Sequence, residues 1–84
     1  MDNYVWWEGE LRRDSPVPLY IQLKRIIKEK IEDGVLKPGT LLPSEKELCR
    51  IYNISHITVR QALVELTKEG SFYLTYNQVN RFII

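Results

Sequence analysis

The side chains best suited to bind a ligand lie between Ser55 and Arg60. Hydroxyl, imidazole and guanidinium groups in this segment can donate hydrogen bonds, and no acidic residue follows until Glu65. Lys46 supplies a further cation upstream. Such donors suit phosphate oxygens and the acceptor atoms on base edges, which are the groups that proteins contact on nucleic acids. The residue types therefore favour binding to an anionic partner, provided that the chain folds them onto one surface.

Two short helices joined by a tight turn are predicted over residues 42–70, and they would position these side chains. Ser44 and Glu47 form a capping box that begins the first helix, and Asn53 tolerates the left-handed conformation that ends it. Ser55 caps the second helix, which ends at Gly70. The apolar faces comprise Leu48, Ile51 and Tyr52 on the first helix and Val59, Ala62, Leu63 and Leu66 on the second. This pattern predicts a helix-turn-helix; the alternative is an ordinary helical hairpin.

The remaining elements complete a winged helix-turn-helix. A helix is predicted near residues 18–33, ended by Gly34, and a short strand at residues 40–42. After Gly70 the pattern alternates with period two and predicts a β-hairpin. The inner stripe of the first helix comprises Tyr20, Leu23, Ile27 and Ile31, widened by Leu19 and Ile26. The fold class is therefore mainly α with a small β-hairpin, a three-helix core plus a wing.

Four motifs follow one another in a fixed order along the chain. They are Pro18-Leu19-Tyr20, Leu36-Lys37-Pro38-Gly39, Leu42-Pro43-Ser44-Glu45-Lys46-Glu47-Leu48, and Ser55 followed by Thr58-Val59-Arg60-Gln61-Ala62-Leu63. Over about residues 16–70 the chain resembles the DNA-binding domain of GntR-type bacterial transcription regulators. The resemblance implies sequence-specific binding to double-stranded operator DNA. It also implies a homodimer and a C-terminal effector-binding domain, which we expect to be absent from this chain.

The second helix of the pair, about residues 55–69, is the expected recognition helix in the major groove. Arg60 can clamp a phosphate or bond guanine O6 and N7, His56 can donate to guanine, and Ile57 can pack on a thymine methyl. His56 stands where the family frequently has Arg, and Ile57 where a hydroxyl residue is common. The resemblance places DNA contacts at Lys46, Ser55, His56, Ile57, Thr58 and Arg60.

Each of these residues has a simpler interpretation when taken alone. Thr58 can serve only as the partner of Ser55 in the helix cap, Arg60 as a solvated helix residue, and Lys46 as a surface charge. The predicted wing is weaker still, because residues 71–84 hold one cation, Arg81, and no glycine. We expect at most weak DNA contacts from Asn77 and Arg81.

The first fifteen residues form a predicted arm ahead of the domain at residues 16–84. Tyr4, Trp6 and Trp7 show neither helical nor strand periodicity. They could pack on their own domain, join a dimer contact or belong to a flexible arm. The arm is also acidic: residues 1–14 carry four acids and two arginines, which leaves a net charge of +3 over residues 15–84. This distribution permits nucleic-acid binding but does not demand it.

Composition excludes several classes of protein. With 84 residues, 44% hydrophobic and 27% charged, the chain fits one globular domain. No apolar run is long enough to span a membrane, so we expect a cytoplasmic protein. One cysteine and one histidine cannot form a disulfide or a zinc site. We therefore expect no metal and no cofactor, and Cys49 to be a small buried core residue.

The main alternative function is a winged-helix module that binds a protein partner, since a fold alone does not fix function. The polar, acid-free first turn of the recognition helix favours DNA, because a protein-binding module would more often have apolar or acidic residues there. An enzyme is the weakest option. No paired His, Asp or Glu set and no phosphate-binding glycine loop is evident in the sequence.

Overall fold

The computed structural model describes residues 11–70, together with the backbone of residues 72–74 and 81–83. Three helices, α1 (Leu19–Glu32), α2 (Glu45–Tyr52) and α3 (His56–Lys68), are followed by strands β1 (Phe72–Leu74) and β2 (Arg81–Ile83). Each helix lies where its periodicity and capping residues predict it. The three-helix architecture expected from the sequence is therefore confirmed.

The predicted caps form at both helices of the pair. The Ser44 hydroxyl oxygen accepts from the Glu47 amide at 3.1 Å, and the hydroxyl bonds the Glu47 carboxylate at 3.2 Å. Asn53 ends α2 with φ of 53°, in the left-handed region. The Ser55 hydroxyl oxygen then accepts from the Thr58 amide at 3.2 Å. These local bonds satisfy backbone donors that a helix start leaves unpaired, so the turn between α2 and α3 is set by adjacent residues.

One apolar core joins the three helices. It contains Leu23, Ile26 and Ile27 from α1, Leu48 and Tyr52 from α2, Val59, Ala62, Leu63 and Leu66 from α3, and Leu36 and Leu42 from the connector. All four residues predicted for the buried face of α3 are fully buried. Ile26, expected only to widen the inner stripe of α1, belongs to the core itself. Four residues expected to be buried are only half-buried against the core, namely Tyr20, Ile31, Cys49 and Ile51. Ala62, the small residue on the buried face of α3, has no exposed surface.

An ion-pair cluster fastens α1 to α3. Lys24 contacts Glu65 at 3.2 Å and also pairs with Glu69, which Lys28 reaches at 2.8 Å. Hydrogen bonds from Lys24 and Lys28 lower the pKa of Glu69, and bonds to Glu69 and Glu65 raise the pKa of Lys24. Both lysines therefore link α1 to α3 through ion pairs.

Residues just before α1 are bound to the helices. The Gln22 side-chain amide accepts from the Arg12 backbone N–H at 2.8 Å and donates to the Arg12 carbonyl at 2.9 Å. The Arg13 guanidinium donates to the carbonyls of Tyr52 and Asn53 at the end of α2. Leu11 packs against the core. The aromatic residues Tyr4, Trp6 and Trp7, whose role the sequence left open, lie outside the described residues.

The two strands pair antiparallel, with Phe72 opposite Ile83 and Leu74 opposite Arg81. The strand predicted at residues 40–42 is reduced to a single bridge residue, Leu41. Leu42 enters the core instead, at 3% exposure. The segment between the two strands, which includes Asn77, lies outside the described residues.

Candidate nucleic-acid interface

The first turns of α2 and α3 lie against one another and form one outward surface. Glu45, the first residue of α2, contacts His56, the first residue of α3, at 2.8 Å. Lys46 follows Glu45 on α2 and is exposed. The tertiary structure thus places Lys46 and the start of α3 at neighbouring helix ends, as a shared binding surface requires. Exposed amides at a helix start also favour an anion.

His56 and Arg60 share one carboxylate oxygen. The Oε1 atom of Glu45 lies 2.8 Å from His56 Nε2 and 3.3 Å from Arg60 Nε. The two side chains stand four residues apart and therefore occupy the same face of α3. The side chain of Glu45 is 19% exposed, whereas those of His56 and Arg60 are 52% and 64% exposed. His56 and Arg60 therefore remain accessible to a binding partner outside the domain.

Glu45 is a functional candidate that sequence reasoning missed. The first turn of α3 contains no acidic residue along the chain, and this absence favoured DNA as the partner. In space the turn is not acid-free, because α2 brings Glu45 onto it. The only signal in the sequence was the position of Glu45 beside Ser44 at the start of α2, where an acid also suits the helix dipole.

Ser55 and Thr58 are engaged with each other. Besides the cap bond to the Thr58 amide, their two hydroxyl oxygens lie 2.7 Å apart. Ser55 is exposed and Thr58 is half-buried. The simpler interpretation of Thr58, as a cap partner, matches this geometry. A hydroxyl that accepts within the cap still has capacity for another bond, so contact with DNA stays a prediction for both.

The outer face of α3 begins with an apolar side chain. Ile57 is 79% exposed, the largest value among the exposed large hydrophobic residues described. Gln61 and Val64 follow it on the same face and are also exposed. An apolar group and a side-chain amide at this spacing can contact a thymine methyl and an adenine edge. Gln61 was missed, although its i+4 spacing from Ile57 could have identified it.

α2 presents a second cation beside Lys46. Arg50 lies four residues further along α2 and is exposed, so the two share a face of the helix. Of these two cations, only Lys46 was predicted to contact DNA. Of the two predicted wing residues, Asn77 lies outside the described residues, and the backbone of Arg81 lies in β2 opposite Leu74.

Other kinds of site find no support within the part of the chain that the structure describes. There, no three His, Cys, Asp or Glu side chains are grouped as a metal site would require. No helix among these residues is both long and apolar enough to cross a membrane. Partial burial, and secondarily the charge of Glu45, raise the pKa of the Cys49 thiol, which makes it a poorer nucleophile than an ordinary cysteine.

A family model for bacterial regulatory proteins of the gntR family matches residues 19–73. Over 60 residues the chain is 53% identical to YurK, an uncharacterized HTH-type transcriptional regulator of Bacillus subtilis, covering 71% of this chain and 25% of YurK. It is 43% identical over 63 residues to the HTH-type transcriptional repressor NagR of the same organism, covering 75% of this chain and 26% of NagR. The chain thus spans about a quarter of the length of these relatives, which are transcription regulators and not enzymes.

Solved structures agree with the sequence relatives. YtrA from Sulfolobus acidocaldarius, a GntR-family transcription factor, superposes with a TM-score of 0.82 at 31% identity, over 89% of this chain and 79% of YtrA. The DNA-binding domain of AraR, solved in complex with operator ORX1, superposes with a TM-score of 0.74 at 28% identity, over 92% of this chain and 90% of that one. Sequence, helix arrangement and caps point the same way: the chain belongs to the gntR family of bacterial regulatory proteins, and its three-helix core is that family's DNA-binding domain.

Proposed function

We propose that this domain binds a specific operator sequence by inserting the first turn of α3 into the major groove of double-stranded DNA. The observation that carries the proposal is the clustering of His56, Ile57 and Arg60 on one exposed surface at the start of α3. Residues at this end of a recognition helix are the ones that reach base edges. The AraR domain, which has the same fold, was solved with operator DNA.

The side chains divide by the groups that they can contact. Lys46 and Arg50, exposed on α2, contact backbone phosphates, and the amides at the start of α2 assist them. Arg60 contacts a guanine edge or a phosphate, and Ile57 packs on a thymine methyl. His56 contacts a neighbouring base edge. The hydroxyl groups of Ser55 and Thr58 bond to each other and can each form a further hydrogen bond. With this further bond they contact phosphates.

The strand pair is the wing of a winged helix-turn-helix. Its support is the position of β1 and β2 directly after the recognition helix, together with the superposition on family members. Arg81 is the only cation of residues 71–84, and Asn77 supplies only an amide. Contacts from this wing to DNA are therefore weak, and the helices supply most of the affinity.

The native regulator acts in the cytoplasm as a homodimer. Two copies of α3, related by a two-fold axis, would occupy half-sites about one helical turn apart. The relatives are about four times as long as the matched region. This leaves room for the effector-binding domain that the family resemblance implies, and that domain would supply most of the dimer contact.

Selection from a random-sequence duplex library tests the proposal. The purified chain should enrich one short motif, and a duplex that carries this motif should bind more tightly than a shuffled duplex of equal composition. Affinity for both should fall with salt, with a slope of about 0.9 per phosphate neutralised. Failure to enrich any motif, combined with affinity that does not depend on salt, would contradict DNA binding by this surface.

A further inference from the structure

We propose that Glu45 is a positioning residue, which fixes the orientation of Arg60 and His56 and so determines the bases that they recognise. This inference rests on the proposed function. The carboxylate reaches α3 from another helix, eleven and fifteen positions away in sequence from its two partners. It is also the most buried group of the three, at 19% exposure. Glu45 is thus the least exposed of the three side chains, and its carboxylate contacts both His56 and Arg60.

The contact with Glu45 occupies one defined part of the Arg60 guanidinium. Nε donates to Oε1 at 3.3 Å, whereas the two terminal nitrogens carry the four other N–H donors of the fork. Those terminal nitrogens are the ones that form a bidentate pair with guanine O6 and N7. A bond at Nε restricts rotation of the guanidinium plane and leaves both terminal nitrogens able to bond guanine. Glu45 therefore pre-orders Arg60 for a planar partner.

The same carboxylate selects the tautomer of His56. An ionised carboxylate can only accept a hydrogen bond, so Nε2, 2.8 Å away, carries the hydrogen. In the neutral ring the remaining nitrogen, Nδ1, is then an acceptor. An acceptor pairs with the amino group of adenine or cytosine and not with the acceptor atoms of guanine. The expectation that His56 donates to guanine is thereby replaced by one in which neutral His56 favours adenine or cytosine.

A purely electrostatic role for Glu45 makes a different prediction. A carboxylate near DNA opposes phosphate binding, so its removal should raise affinity for every sequence by the same factor. Positioning predicts instead that removal changes discrimination between sequences. The ratio of affinities for the selected and shuffled duplexes separates the two roles, because a uniform electrostatic gain cancels in it.

The experiment compares Glu45→Ala and Glu45→Gln with Glu47→Gln in the library selection. Glu47→Gln is the matched control, because it removes the same charge from the same turn of α2, and glutamine can also serve at this position of a capping box. All three variants should bind shuffled DNA more tightly than the wild type. In Glu45→Ala the affinity ratio should fall by about tenfold, the loss expected when one bidentate base contact is weakened. The preference should be lost at the base pairs nearest Arg60 and His56.

Glu45→Gln keeps an oxygen acceptor and should retain part of the discrimination, whereas Glu47→Gln should leave the ratio and the selected motif unchanged. A Glu45→Ala protein that selects the wild-type motif with an unchanged ratio would overturn the inference. If Glu45→Ala does not fold, as judged by circular dichroism, the comparison between Glu45→Gln and Glu47→Gln decides, and equal ratios would overturn the inference. If the wild type itself enriches no motif, the proposed function fails, and the inference fails with it.

Discussion

At the scale of single residues, the Arg60 side chain is held by Glu45 at Nε but remains largely exposed. Its Nε atom is bonded to Glu45, and 64% of its side chain is exposed. In Arg60→Ala we expect specific DNA affinity to fall by about 1–3 kcal/mol, the range for a base contact. The fold should persist, because the side chain contributes nothing to the core. Titration of the selected duplex, with a thermal melt of the free protein, measures both effects.

Two further variants show whether the Arg60 contact is to a base. Arg60→Lys keeps the charge but loses the planar fork, so it should retain affinity for shuffled DNA and lose discrimination. Lys68→Ala is the matched control, since it removes one cation from the far end of α3, about 12 Å along the helix at 1.5 Å per residue. Full discrimination in Arg60→Lys would show that Arg60 contacts only phosphate.

At the scale of elements, the left-handed residue Asn53 ends α2 and turns the chain into α3. Asn53 has φ of 53°, a conformation that costs most side chains about 1–2 kcal/mol. Asn53→Ala should therefore lower the free energy of unfolding by about 1 kcal/mol, whereas Asn53→Gly should preserve or raise it. Urea unfolding of the three proteins measures this. Equal losses in Ala and Gly would instead attribute the effect to the asparagine side chain.

The junction of α1 and α3 gives the fold a dependence on pH. The pKa of Glu69 is lowered by bonds from Lys24 and Lys28, so its ion pairs stabilise the fold above the ordinary glutamate pKa. That stability is lost as pH falls through the lower folded-state pKa. The pKa of Lys24 is raised, so its contribution is complete below the ordinary lysine pKa and is lost as pH rises through the higher folded-state value.

Glu69→Gln should consequently lower the melting temperature at neutral pH and have little effect once the pH lies below the folded-state pKa of Glu69. The matched control is Glu32→Gln, which removes an exposed acid at the end of α1. A difference between Glu69→Gln and the wild type that stays constant from neutral to acidic pH would exclude the ion pairs as its cause.

At the scale of the whole molecule, one domain presents one recognition helix. We therefore expect the isolated chain to bind a single half-site weakly, and a duplex with two symmetric half-sites about one helical turn apart to bind two copies. Sedimentation of the protein with each duplex measures the stoichiometry. Nanomolar specific binding by a chain that stays monomeric at high concentration would contradict the need for a dimer.

The sequence by itself determined the helices and their ends. The bonds of Ser44 with Glu47 and of Ser55 with Thr58 join residues three apart. The left-handed turn at Asn53 is likewise a property of one residue type. The buried face of α3 follows from a period of 3.6 residues. All of these depend on short stretches of chain, so they could be predicted before any packing was known, and the family motifs then indicated a DNA-binding surface.

Only the tertiary structure decided which residues from other segments contact the surface at the start of α3 and hold the helices together. The contacts from Glu45 to His56 and Arg60 and from Arg13 to the carbonyls of Tyr52 and Asn53 connect different segments. So do the ion pairs of Lys24 with Glu65 and Glu69. Each depends on the angle and distance at which two segments pack, which is set by the whole core and not by the spacing of residues along one helix. For that reason the sequence showed no acidic residue in the first turn of α3, whereas the fold places the carboxylate of Glu45 in contact with it.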